Sequence, residues 1–100
     1  MAKRIIWSQR AQEDRKQILE YWKNRNKSST YSKKLDKGFR EALKIIREYP
    51  QIGKQTDDQK ARIKILRDYF LIYEETKDSI ILLTIWDSRQ DPQELSNLMK

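Results

Sequence analysis

The stretch Arg62-Ile63-Lys64-Ile65-Leu66-Arg67-Asp68-Tyr69-Phe70-Leu71-Ile72-Tyr73, followed by Ile80-Ile81-Leu82-Leu83-Thr84-Ile85-Trp86, decides the architecture. From Ala61 to Ile65 the residues alternate, apolar at 61, 63 and 65 and basic at 62 and 64, the period of a strand with one buried face. Tyr69 to Tyr73 is continuously apolar and aromatic. Ile80 to Trp86 is apolar except for Thr84, which suggests a central strand covered on both sides. Arg67 marks the first turn, and Thr76-Lys77-Asp78-Ser79 supplies the second without the favoured Asn-Gly type. Strands joined by such short turns must run antiparallel.

Upstream the period changes from two to about 3.6. Lys3-Arg4-Ile5-Ile6-Trp7 reads as an opening strand, and Ser8 as the N-cap of a helix with Glu13 and Asp14 near its positive end. Ala11, Arg15, Ile18, Leu19 and Trp22 follow helical spacing up to a polar break from Asn24 to Ser29. A second, longer helix starts near Ser29 or Thr30. Its apolar stripe is Tyr31, Leu35, Phe39, Ala42, Leu43, Ile46 and Tyr49, and Pro50 stops it. Pro50-Gln51-Ile52-Gly53 and the polar run to Lys60 read as a loop, and Asp91-Pro92 as the opening of a short terminal helix. The expected fold is α+β with two layers in the order β-α-α-β-β-β, a mainly antiparallel sheet packed against a helical hairpin. Residues 1–100 form a single expected domain, without internal repeat or linker.

Composition narrows the chemistry. The chain has neither cysteine nor histidine, which removes disulfides, thiolate ligands, His-based triads and the usual zinc sites. There is also no glycine loop to cradle phosphates, so no cofactor and no metal are expected. No apolar run approaches membrane-spanning length, Met1 to Trp7 lacks a long apolar core of the secretory kind, and the expected compartment is cytoplasmic. Net charge is +7 and unevenly placed: residues 1–60 carry 16 Lys+Arg against 8 Asp+Glu, and residues 61–100 carry 6 against 7. Such an excess fits an acidic protein partner, a nucleic acid or ribosome, or plain solubility.

The residues able to carry chemistry lie on the three-strand segment. Arg62 and Lys64 share one side of their strand. Arg67 follows at the turn, Tyr69 and Tyr73 lie on the next strand, and Arg89 follows the last one. Cations beside aromatic rings suit RNA, because phosphates pair with the cations and exposed bases stack on the rings. Each has a plainer reading: Arg62 and Lys64 as a strand's solvent side, Tyr69 and Tyr73 as core or rim, Trp86 as core, and Arg89 as a local partner of Asp87 or Asp91.

The order β-α-α-β-β-β in about 100 residues, with the stretches quoted above and Asp87-Ser88-Arg89-Gln90-Asp91-Pro92 after them, resembles the RelE/ParE toxin superfamily. It is similar to the family's basic strand, its aromatic strand and a closing strand that runs into a basic turn. The resemblance implies a bacterial growth inhibitor, the toxin of a type II toxin–antitoxin system. It also implies a cognate antitoxin that binds through an acidic or amphipathic segment in a hetero-oligomer. Two targets remain open. ParE-like members inhibit DNA gyrase. RelE-like members are ribosome-dependent, metal-independent mRNA endoribonucleases, or mRNA interferases, in which Arg62, Lys64 and Arg89 would be catalytic and Arg67, Tyr69 and Tyr73 would contact RNA or target. Phe70 stands where the RelE pattern has an arginine and Leu95 near an expected tyrosine, which favours the ParE-like branch. A non-toxic binding module of the same fold is a third alternative.

Overall fold

The computed structural model describes residues 3–57 and 60–90. Strand β1 (Arg4–Trp7) leads into helices α1 (Gln9–Asn26) and α2 (Thr30–Glu48). Strands β2 (Lys54–Gln55), β3 (Arg62–Leu66), β4 (Tyr69–Glu75) and β5 (Ser79–Asp87) follow. One five-stranded sheet has the order β1-β5-β4-β3-β2, with the β5/β4, β4/β3 and β3/β2 pairs antiparallel and β1 parallel to β5. The parallel pair is possible because both helices and three strands separate its members along the chain, ample for the crossover that parallel pairing requires. The helices pack against this mixed sheet.

Two segments differ from the sequence reading. Part of the expected loop from Pro50 to Lys60 is the short edge strand β2, whose two polar residues give too brief an alternation to register. Ile65 is 63% exposed although it keeps the apolar phase of β3. Its side of the sheet faces away from the helices, where Ala61 is buried and Ile63 packs beside it, so the expected buried face is covered at the start of β3 and open to solvent at Ile65. The expected short helix from Asp91-Pro92 lies outside the described residues.

Ser8 caps α1 as its position implies: its hydroxyl accepts from Ala11 N (3.0 Å) and donates to Leu83 O (2.7 Å). Asp14, expected to act on the helix dipole, has a different task. β1 pairs with β5 only through Leu82, and beyond it Asp14 Oδ2 accepts from Ile85 N (3.1 Å) and Thr84 Oγ1 (2.5 Å). The helix thus satisfies backbone that β1 is too short to pair, as a buried N–H requires.

The main core lies between layers. α2 contributes Leu35, Phe39, Leu43 and Ile46, and the sheet contributes Tyr69, Leu71, Tyr73, Ile80, Leu82 and Ile85. Tyr49, expected to continue the α2 stripe, is the helix's C-cap and is 65% exposed. Ala61, Ile72 and Trp86 form a smaller cluster on the sheet's other face, with Ile63, Phe70 and Leu83 beside it. This is why β4 and β5 read as apolar on both sides. Between the helices, Arg15 Nε donates to Asp36 Oδ1 at 2.6 Å, and that hydrogen bond holds the Asp36 carboxyl below the usual range. Ser32 Oγ donates to Leu19 O (2.6 Å), closing the hairpin from the α2 side.

Candidate functional site

At one end of the fold, the second half of α1, the start of α2, the β3–β4 turn and the end of β5 come together around Trp22. Its indole Nε1 donates to Tyr69 Oη at 2.7 Å, which orients the ring from below. Tyr31 meets it edge-on with centroids 4.9 Å apart, and Tyr21 does so at 5.2 Å. Three guanidinium groups lie over this aromatic base: Arg25 at 5.8 Å and Arg89 at 5.9 Å from the Trp22 centroid, and Arg67 at 5.6 Å from that of Tyr31. Two other such contacts, Arg10 with Trp86 and Arg15 with Trp7, stand singly elsewhere, and what sets this end apart is that three guanidinium groups share two adjoining rings.

Local backbone geometry places the arginines. Arg67 sits at φ 54° in the tight turn between β3 and β4, which projects its side chain over Tyr31. Asp68 O accepts from Ser88 N (2.8 Å), tying this turn to the chain that leaves β5. Arg89 folds back on Asp87 through Nε–Oδ1 (3.0 Å) and Nη2–Oδ2 (2.8 Å) bonds. These bonds lower the Asp87 carboxyl pKa and raise that of the guanidinium. Neither Arg25 nor Arg67 has a carboxylate partner among the described residues. A cavity of about 390 Å³ opens beside the cluster, lined among others by Asp14, Tyr21, Tyr69, Asp87 and Arg89.

The residues singled out in the sequence divide into two groups. Arg67, Tyr69 and Arg89 meet in this cluster, with Tyr69 as its buried floor. Arg62 and Tyr73 lie elsewhere. The Arg62 guanidinium donates to Gly53 O (2.8 Å) and Gln51 O (3.3 Å). Strand spacing and the register of Leu66 through Tyr69 to Asp87 put its Cα about 16 Å from that of Asp87. Tyr73 is fully buried; its hydroxyl donates to Pro50 O (2.8 Å) and accepts from Gly53 N (2.9 Å). Burial raises the pKa of both Tyr69 and Tyr73, so neither phenol is poised to take a proton near neutral pH. Lys64 is half-buried on β3, between Arg62 and the cluster.

By spacing alone Trp22 and Tyr31 belong to the apolar stripes of their helices, and Arg25 to a polar break. The available signal was the three-residue spacing of Trp22 and Arg25 on one helix face. The meeting of Trp22 with Arg89 joins residues far apart in sequence, and no local spacing encodes it.

Residues 5–92 match the family of the ParE toxin of type II toxin–antitoxin systems, parDE. A structure titled as the chromosomal ParDE toxin–antitoxin system from P. aeruginosa is similar, with a TM-score of 0.73 at 14% identity, over 86% of this chain and 96% of that one. That structural likeness supports the fold. No curated protein matches the sequence.

Proposed function

The chain belongs to the ParE toxin family of type II toxin–antitoxin systems, and from that premise we propose that it arrests growth in the cytoplasm by binding DNA gyrase, without cutting RNA. The observation that carries this choice of target is the separation of the cations a nuclease would need to gather. Arg62 is held by two backbone carbonyls, about 16 Å across the sheet from Asp87, to which Arg89 is bound. The buried phenols of Tyr69 and Tyr73 have raised pKa values and offer no ready general base in place of histidine. The roles of Arg62, Lys64 and Arg89 as catalytic groups belong to the ribonuclease alternative, and that alternative has less support.

The test is direct. Added to purified gyrase, the chain should block supercoiling, and pre-incubation with its antitoxin should restore it. Unimpaired supercoiling together with cleavage of ribosome-bound mRNA would sink the gyrase reading.

As a member of this family the toxin has a cognate antitoxin. We propose that an acidic segment of that partner lies along α2. Lys33, Lys37, Arg40, Lys44 and Arg47 recur at intervals of four and three residues, forming one basic stripe about 21 Å long. Lys37 and Arg40 have only loose i,i+4 partners, at 3.9 Å from Glu41 and 3.4 Å from Asp36. Complementary charge of this kind mainly accelerates encounter. The association rate should fall about ten-fold or more from low to high salt, and should fall likewise in a Lys33→Gln/Lys37→Gln/Lys44→Gln variant. A rate indifferent to both would refute electrostatic docking on α2.

A further inference from the structure

We propose that the Arg25–Arg67–Arg89 cluster is a contact site for the phosphate backbone of duplex DNA, so that the toxin grips DNA as well as protein in its target complex. The place of this contact in a target complex rests on the gyrase reading; the contact itself is a property of the free chain.

Three features favour a polyanion. Arg25 and Arg89 both lie within 6 Å of one ring centroid, so their charges are at most about 12 Å apart, and Arg67 flanks them over the adjoining ring. The Arg25 and Arg67 guanidinium groups have no carboxylate on their N–H donors among the described residues and can offer the paired bonds that suit phosphate oxygens. Arg89, whose Nε and Nη2 already bond Asp87, keeps its remaining N–H groups for a further acceptor. A patch of that width spans about three phosphates at about 3.4 Å of axial rise per strand. Arg25 and Arg67 are not neutralised by carboxylates of the described residues, and only Arg89 is.

An acidic protein partner fits this end less well. Protein interfaces are anchored by apolar side chains entering pockets. Here the guanidinium groups cover the Trp22 and Tyr31 faces, and Tyr21 is the single large exposed hydrophobic residue of the cluster. Ile45, Tyr49 and Ile52, which could anchor a protein, are exposed at the far end of α2 and just beyond it. A phosphate backbone needs the charges alone.

The plainer account is that Arg25 complements the negative end of α1 and Arg89 serves only Asp87. It predicts that the three residues have no collective effect on DNA. The experiment measures binding of a fluorescent 30-base-pair duplex to the toxin alone by anisotropy across a salt series, comparing wild type with an Arg25→Gln/Arg67→Asn/Arg89→Gln variant. Asn is chosen at 67 because it tolerates the left-handed backbone there. Wild type should bind with a dissociation constant of about 10⁻⁴–10⁻⁶ M near physiological salt. The variant should bind at least about ten-fold more weakly, with the salt slope reduced by about 2–3, the lower figure reflecting the Asp87 carboxylate already bonded to Arg89. The Lys33→Gln/Lys37→Gln/Lys44→Gln variant should retain the wild-type slope to within about one. The proposal is overturned if wild type does not bind, if both variants lose affinity equally, or if single-stranded RNA binds more tightly than the duplex. Supercoiling assays judge the gyrase reading separately, so failure of one does not imply failure of the other.

Discussion

Phe39→Ala is expected to lower unfolding stability by about 3–5 kcal/mol, the cost of truncating a fully buried phenylalanine in a core that cannot collapse around the void. Phe39 reaches from α2 to the sheet, where its ring meets Tyr69 edge-on at 5.8 Å. The same substitution removes an apolar wall from the phenol whose hydroxyl holds Trp22. Domains of this size have total stabilities of about 5–15 kcal/mol, so the loss is a large fraction of the whole. In a thermal melt it should shift the midpoint by about 12 °C or more. A shift under about 4 °C would show that the hairpin and sheet do not share one core at this position.

The second large effect concerns the segment between α2 and β2. Gly53 is packed so closely that a Cβ there would lie 2.7 Å from Tyr73 Oη, 2.9 Å from its Cε1 and 3.0 Å from Ile63 O. The same phenol bonds Pro50 O and Gly53 N. Tyr73→Phe should cost about 1–3 kcal/mol by leaving the buried Gly53 N without a partner, and the half-buried Pro50 O with water alone. Gly53→Ala should cost about as much, because rigid backbone and a buried ring cannot both move aside. Removing the hydroxyl relieves the shortest contact made by the new methyl. The double variant should therefore be more stable than the sum of the two losses predicts, by about 1 kcal/mol in a denaturant-based double-mutant cycle. Strict additivity would mean that the two residues do not meet as described.

The readable part of this fold was the part governed by period. Alternation identified β3, continuous apolarity identified β4 and β5, and the α2 stripe located Leu35, Phe39, Leu43 and Ile46 in the core. Ser8 was legible because an N-cap is a local event within three residues of its partner. Asp14 was misassigned for the opposite reason. Its position suggested the dipole of its own helix, but its hydrogen bonds go to residues 70 and 71 positions away.

For the candidate site the division is the same. Arg67, Tyr69 and Arg89 were identifiable as cations and aromatics at the ends of strands, within the residues 5–92 that match the ParE toxin family. Only the tertiary structure drew in Trp22, Tyr31 and Arg25 and left Arg62 on the Gly53 carbonyl across the sheet. Sequence by itself determined both helices, four of the five strands, their order and most of their buried positions, because each is encoded in the spacing of near neighbours; β2 and the exposed Ile65 and Tyr49 are not. Which charged groups share a surface depends on strand register and on how helices cross the sheet. Those are set by packing across the whole chain.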